Sequence, residues 1–204
     1  MIERSADITY ASDDRLRVII FHGAHGGPDT NWFPWLHRKL QAEGLEVIRS
    51  RLPTPHGQSL DAWFEALDRT VRDLAASSTV LVGHSLGAAF ALRLIERSAE
   101  PFRATLLAAG FVGALGLPDY DSINATFFAT PFDWSALRNR AGQIFCWAGA
   151  DDPYVPVSRT KQIADLLGAP LHIVNGGGHL NAESKFLRFP ELQNAILLTA
   201  RKRS

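Results

Sequence analysis

The sequence predicts an α/β fold, about six mostly parallel strands with helices on both faces. Three observations carry the prediction. Short apolar segments rich in β-branched residues alternate regularly with amphipathic ones. Several apolar segments are nearly continuous runs, as expected of strands covered on both faces. The 204 residues contain no internal repeat, low-complexity tract or linker, and suit one domain, residues 1–204.

After a lead-in of residues 1–14, expected to be loosely ordered, Arg17–Phe21 reads as the first strand and Trp32–Glu43 as the first helix. Glu46–Arg51 is the second strand. Leu60–Ala75 follows as a helix, because Leu60, Trp63, Phe64, Leu67, Val71 and Leu74 recur at three- and four-residue intervals and make one apolar face. The strand Thr79–Val82 leads into a helix over Ser85–Arg97, which is rich in Ala and Leu. Ala104–Ala108 is the fourth strand. The segment between Gly110 and Gly142 breaks the rhythm, with no strong periodicity but many aromatics, Phe111, Tyr120, Phe127, Phe128, Phe132 and Trp134 among them. A stretch of this length in a compact domain is either functional or a surface excursion with its own small cluster. The alternation resumes with strand Gln143–Ala148, helix Val157–Leu167, strand Leu171–Val174 and helix Glu191–Arg201.

Charge and cysteine content exclude several classes. Lys+Arg and Asp+Glu both number 21, and this zero net charge argues against a nucleic-acid or anionic-membrane surface. Cys146 is the only cysteine, so neither an intramolecular disulfide nor a Cys-rich zinc site is available, and a reducing compartment follows. The start lacks the basic and apolar regions of a leader, and no apolar stretch approaches the ~18 residues that span a bilayer. The expectation is a cytoplasmic protein. No His or Cys spacing suggests a metal site, and no glycine-rich phosphate loop follows the first strand, so neither metal nor cofactor is expected.

The most telling motif is Gly83-His84-Ser85-Leu86-Gly87, directly behind Thr79-Val80-Leu81-Val82. A G-x-S-x-G between a buried strand and a helix resembles the nucleophile elbow of the α/β-hydrolase fold. Exposing Oγ at the carboxyl edge of a sheet demands so tight a reversal that Ser85 takes a strained backbone, with room only for glycine two residues to either side. The alternative is a pair of ordinary turn glycines with Ser85 as a helix N-cap.

Ligands in open parallel sheets bind at the carboxyl ends of the strands, so partners of Ser85 should follow other strands. After Gln143–Ala148 comes Gly149-Ala150-Asp151-Asp152-Pro153-Tyr154-Val155-Pro156, and after Leu171–Val174 comes Asn175-Gly176-Gly177-Gly178-His179. The chain order is then Ser85, Asp152, His179. A serine hydroxyl needs a base, supplied by one nitrogen of His179, while the other nitrogen needs a carboxylate to fix its tautomer. Asp152 is preferred because Asp-x-x-Val-Pro at a helix start matches the acid turn of such enzymes; Asp151 remains the competitor.

Backbone N–H groups of Leu86 and Ala24 are the candidates for an oxyanion hole, Ala24 lying in Phe21-His22-Gly23-Ala24-His25-Gly26-Gly27 after the first strand. His22 reads as a structural turn residue and His84 as the variable position of the elbow. His25, Phe111 and Trp134 are the candidate substrate-binding residues, the aromatics walling an apolar acyl pocket.

On Phe21-His22-Gly23 with Trp32 and Trp35, Val82-Gly83-His84-Ser85-Leu86-Gly87, Asp151-Asp152-Pro153-Tyr154-Val155-Pro156 and Gly178-His179, the chain resembles the small α/β-hydrolase family that includes retinoblastoma-binding protein 9 and its bacterial relatives. The resemblance spans nearly the whole length. It implies a minimal core without a large cap domain and serine hydrolase activity on a small-molecule substrate of the ester type, with amides or thioesters as variants. It also supports Ser85, Asp152 and His179 as a triad. A retinoblastoma-type partner does not carry over, because Ile144-Phe145-Cys146-Trp147-Ala148 does not match the L-x-C-x-E pattern such a partner requires. Acyl transfer by the same residues, and a non-catalytic binding protein on the same fold, are the competing readings.

Overall fold

The computed structural model describes residues 16–201. Six strands form one sheet in the order β2-β1-β3-β4-β5-β6: β1 Arg17–Phe21, β2 Glu46–Arg49, β3 Thr79–His84, β4 Ala104–Ala108, β5 Gln143–Gly149 and β6 Leu171–Val174. Every pairing is parallel, so all six carboxyl ends lie along one edge. The expected lead-in over residues 1–14 lies outside the described residues.

The strand pattern divides the core in two. Ile19, Phe21, Leu81 and Leu107 point to one face, where they meet α2 (Leu60–Thr70), α3 (Leu86–Arg97), α5 (Trp134–Arg140) and α6 (Val157–Leu167). Val18, Ile20, Val80, Val82 and Leu106 point to the other, against α1 (Phe33–Ala42) and α7 (Pro190–Arg201). Such two-sided cover explains the continuous apolar runs, since in a strand successive side chains must satisfy opposite faces. The central strand β3 is buried at all six positions. The helix behind it, α3, is buried from Leu86 to Ile95, which accounts for its Ala-rich sequence: small side chains let it sit close on the sheet.

Three boundaries differ from the sequence reading by two residues or more. The helix expected to reach Ala75 ends at Thr70, with Val71 extended. Val71 is nevertheless buried and Leu74 packs on the same core, so the apolar spacing continues where the helix does not. β2 stops at Arg49 rather than Arg51, and β3 continues two residues further, to His84. The aperiodic segment after Gly110 contains α4 (Pro118–Asn124), a 3₁₀ turn (Ala125–Phe128) and α5. Polar side chains anchor it. The Asp121 carboxylate accepts from the N–H groups of Leu115, Gly116 and Leu117 at 2.8, 2.8 and 3.0 Å. The buried Arg93 guanidinium donates to the carbonyls of Phe127 and Thr130, pairs with Glu96 at 2.7 Å and lies over the Phe132 ring.

Candidate active site

The elbow conformation follows from close approach. Ser85 has φ 57° and ψ −125°, a strained backbone for a non-glycine residue, and its side chain makes no capping hydrogen bond to α3. An N-cap role therefore does not explain it. A Cβ on Gly83 would stand 2.5 Å from the carbonyl oxygen of Gly87, and one on Gly87 would run into the backbone of Phe21 and His22. The first glycine is thus required by the turn itself, the second by the seat of α3 against β1. The ladder of parallel strands continues into the turn, with the Ser85 N–H donating to the Ala108 carbonyl at 2.9 Å.

Two further loops leave the same edge. The loop after β5 carries Asp151 and Asp152, and the loop after β6 carries His179. No Cβ fits at Gly149, which lies against the carbonyl of Gly178, so the two loops are in backbone contact. Asp151 Oδ1 accepts from the Gly178 N–H at 3.0 Å. Asp152 Oδ1 accepts from the N–H groups of Tyr154 and Val155, both at 2.9 Å, and its Oδ2 lies 2.8 Å from His179 Nδ1. The two acids thus divide the work: Asp151 holds the loop, and Asp152 meets the imidazole. The carboxylate can only accept, so Nδ1 carries the proton and Nε2 of the neutral ring is the free base. The Asp152 side chain is 1 % exposed and that of His179 10 %.

The His179 loop is also held from behind. The Nε2–H of His84 donates to the His179 carbonyl at 2.8 Å, and the indole N–H of Trp32 donates to the next carbonyl, Leu180, at 2.9 Å. His84 is buried against Trp32, Phe33 and the His179 ring. Burial, reinforced by the neighbouring His179, pushes its pKa down to about 3, which keeps it neutral. No local signal in the sequence marks His84 or Trp32 for this role, because their partners lie 95 and 148 residues away.

A cavity of about 320 Å³ opens between these loops, lined by Ser85 and His179, by Ala24, His25 and Gly26 from the β1 loop, and by Phe111, Leu115, Leu117 and Tyr120 from the long segment. Among the described residues, Ser85 Oγ and the N–H groups of Ala24 and Leu86 take part in no hydrogen bond. The neighbouring N–H of His25 is taken by Thr54 Oγ1 at 2.8 Å. His22 is neutral and structural, donating from Nδ1 to the Gly23 carbonyl at 2.8 Å and accepting at Nε2 from the Leu52 N–H at 3.1 Å. Burial lowers its pKa.

Of the three candidate substrate-binding residues, His25 and Phe111 stand on the cavity wall. Trp134 does not. It opens α5, packs beside Phe132 at a ring separation of 5.5 Å, and lies on the side of the segment drawn towards α3 by Arg93. Tyr154, which the sequence reading passed over, stands at the cavity mouth. Its ring is 5.3 Å from that of His179, and its hydroxyl donates to the Glu183 carboxylate. That acceptor raises the Tyr154 pKa.

No group of His, Cys, Asp and Glu able to hold a metal occurs among the described residues. No helix among them is long and apolar enough to cross a membrane.

A parallel sheet with a strained serine at the centre of its carboxyl edge, and an acid and a histidine on later loops, defines an α/β-hydrolase. A profile of the serine hydrolase family matches residues 18–198, and the chain belongs to that family. It is similar to YdeN of Bacillus subtilis, with 31 % identity over 182 residues, 88 % of this chain and 94 % of that one. It is also similar to the serine hydrolase RBBP9 of Rattus norvegicus, at 25 % identity over 80 % of this chain and 86 % of that protein. The crystal structure of the B. subtilis ydeN gene product superposes with a TM-score of 0.81 at 28 % identity, covering 91 % of this chain and 99 % of that one. The protein is a hydrolase.

Proposed function

We propose that this hydrolase cleaves small carboxylic esters through an acyl-enzyme on Ser85, with His179 as general base and Asp152 as its orienting acid. The Asp152–His179 contact carries the reading: a buried carboxylate whose other oxygen is tied by two backbone N–H groups can do little but fix that imidazole. His179 Nε2 takes the hydroxyl proton as Ser85 Oγ attacks the ester carbonyl. The tetrahedral oxyanion is received by the N–H groups of Ala24 and Leu86, which have no other acceptor among the described residues; one such donor typically contributes about 2.7–4 kcal/mol. Collapse returns the proton to the departing alcohol, and water repeats the sequence to release the acid.

The cavity volume of about 320 Å³ supports a short to medium acyl chain over a lipid. The single domain needs no cofactor. With Cys146 as the only cysteine the chain can form no internal disulfide, which fits a reducing, cytoplasmic setting.

The test is fluorophosphonate labelling of the protein and of Ser85→Ala, with the adduct located by mass spectrometry, followed by turnover of p-nitrophenyl esters. An adduct on Ser85 and hydrolysis of short-chain esters are expected. Well-folded protein that takes no label would make the fold a binding scaffold, and acyl transfer to an added alcohol in preference to water would make the protein an acyltransferase.

A further inference from the structure

Two peptide groups flank Ala24, and each is held by a hydrogen bond. Gly23 lies against the nucleophile: a Cβ there would stand 2.7 Å from Ser85 Cβ and 3.0 Å from its Oγ. The Gly23–Ala24 peptide is fixed through its carbonyl, which accepts from the Gly26 N–H at 3.1 Å and from His22 Nδ1–H at 2.8 Å. In a planar trans peptide the N–H points away from the carbonyl, so these bonds aim the Ala24 N–H away from His22 and Gly26. The next peptide, Ala24–His25, is fixed through its N–H, which donates to Thr54 Oγ1 at 2.8 Å. His25 has φ 55°, a left-handed conformation that a non-glycine residue keeps only where its surroundings hold it.

Thr54 comes from another strand. It follows β2 in a stretch where three consecutive residues are tied: the Leu52 N–H to His22 Nε2 at 3.1 Å, the Pro53 carbonyl to the indole N–H of Trp63 at 2.7 Å, and Thr54 itself to His25. The Thr54 hydroxyl serves the His25 N–H only with a lone pair turned to it, and Gln58 sets that direction. Gln58 Oε1 accepts the hydroxyl hydrogen, while Nε2 donates to the Ile123 carbonyl at 3.0 Å and to Asn124 Oδ1 at 2.8 Å. A backbone carbonyl can only accept, so Nε2 faces α4 and Oε1 faces Thr54. His25 N–H, the Thr54 hydroxyl and the Gln58 amide form a chain of donors that runs in one direction, from the β1 loop to the end of α4.

We infer that Thr54, its hydroxyl turned by Gln58, is a positioning residue of the oxyanion hole: by holding the His25 N–H it keeps the Ala24 N–H on the developing oxyanion. This rests on the proposed acyl chemistry at Ser85. Thr54 is not among the residues lining the cavity, so it acts through the loop and not on the substrate. Its hydroxyl therefore matters to the transition state and not to ground-state binding. Losing an oxyanion donor outright typically costs about 10²–10³ in kcat, and a donor left in place but free to swing forfeits part of that.

The experiment sets Thr54→Val, which keeps the shape and removes the hydroxyl, against Thr54→Ser, which keeps the hydroxyl. Kinetics on a p-nitrophenyl ester are read beside inhibition by trifluoromethyl hexyl ketone and by methyl hexyl ketone. Ser85 Oγ adds to the carbonyl carbon of the fluorinated ketone, its proton passes to His179, and the carbonyl oxygen becomes an oxyanion; the methyl ketone binds without addition. Thr54→Val should lower kcat about tenfold or more with KM within about twofold, and weaken the trifluoromethyl ketone in the same proportion while the methyl ketone binds as in the wild type. Thr54→Ser should restore kcat and trifluoromethyl ketone affinity to within about threefold of the wild type. If Thr54→Val does not fold, Gln58→Met decides, with a smaller loss in the same two quantities expected and wild-type values overturning the inference. Undiminished kcat in Thr54→Val, a loss shared equally by both ketones, or no rescue by serine also overturns it, while a fluorophosphonate adduct on Ser85 leaves the hydrolase reading standing. Wild-type protein with neither adduct nor ester turnover overturns both.

Discussion

His84 and His179 are joined through the backbone: the imidazole of the elbow donates from Nε2 to the carbonyl oxygen of the histidine that would deprotonate its neighbour, at 2.8 Å. The elbow and the His179 loop are therefore one hydrogen-bonded unit, although 95 residues of chain separate the two histidines.

His84→Phe keeps the packing against Trp32 and Phe33 but leaves the His179 carbonyl without its donor. A loss of about 1–3 kcal/mol in stability is expected, with kcat reduced about tenfold and KM little changed, because the imidazole loses its register while the cavity wall stays. His84→Gln, which retains a side-chain N–H, should recover most of kcat. Urea unfolding and steady-state kinetics on the two variants check this, and equal losses in both would make His84 a packing residue only.

The same residue sets a pH dependence of stability. The folded pKa of His84 is held near 3 by burial, against an ordinary value of 6.5, and that of His22 is also lowered by burial. As pH falls below 6.5 the unfolded chain takes up protons that the native state refuses. Stability should therefore be full above about pH 7 and decline on acidification, by up to about 1.4 kcal/mol per pH unit for each such histidine. Urea titrations at pH 7.5, 6 and 5 measure the slope. His84→Gln should flatten it.

Gly23→Ala tests the opposing wall of the elbow. An added Cβ would stand 2.7 Å from Ser85 Cβ and 3.0 Å from its Oγ. The strained backbone of Ser85 gives the side chain little room to yield, so the hydroxyl rather than the fold should be displaced. The expected outcome is a fall of about 100-fold in kcat/KM with Tm changed by only a few degrees, read from ester hydrolysis and thermal melts.

Where each part of this architecture was legible depends on how local its cause is. β1, β4 and α6 have the predicted bounds because burial on both faces, or on one helical stripe, is written in consecutive residues; the edge strand β6 has its predicted bounds without such burial. α4 and α5 have seven residues each, and the segment that carries them is anchored by polar side chains, Asp121 and Arg93 among them, which leave no periodicity. That Ser85, Asp152 and His179 stand at one edge was readable because each follows the carboxyl end of a strand in a parallel sheet. Trp134 stands off the cavity wall because an aromatic in an aperiodic segment carries no signal of which way it turns; here it packs beside Phe132, which lies under the Arg93 guanidinium. The hydrogen bond of His84 to the His179 loop and the contact of Tyr154 with Glu183 leave no local signal either, their partners being set by topology.

The choice between the two acids admits a direct test, because each has a different atom to hold. Asp152 offers Oδ2 to His179 Nδ1, and its Oδ1 is locked by two backbone N–H groups. Asp152→Asn would present either an NH₂ to the imidazole, favouring the wrong tautomer, or an uncharged oxygen unable to stabilise the imidazolium. A loss of about 10⁴-fold in kcat is expected, with the protein still folded. Among the described residues the Asp151 carboxylate has one hydrogen-bond partner, the Gly178 N–H, so in Asp151→Asn the amide oxygen can still accept that bond. Its kcat should fall less than tenfold, and Asp151→Ala should fall further through a loosened His179 loop. Pre-steady-state bursts with a p-nitrophenyl ester separate the two acids, since acylation slows in Asp152→Asn while Asp151→Asn keeps its burst. The reverse order would move the acid to Asp151 and leave the 2.8 Å contact a resting arrangement.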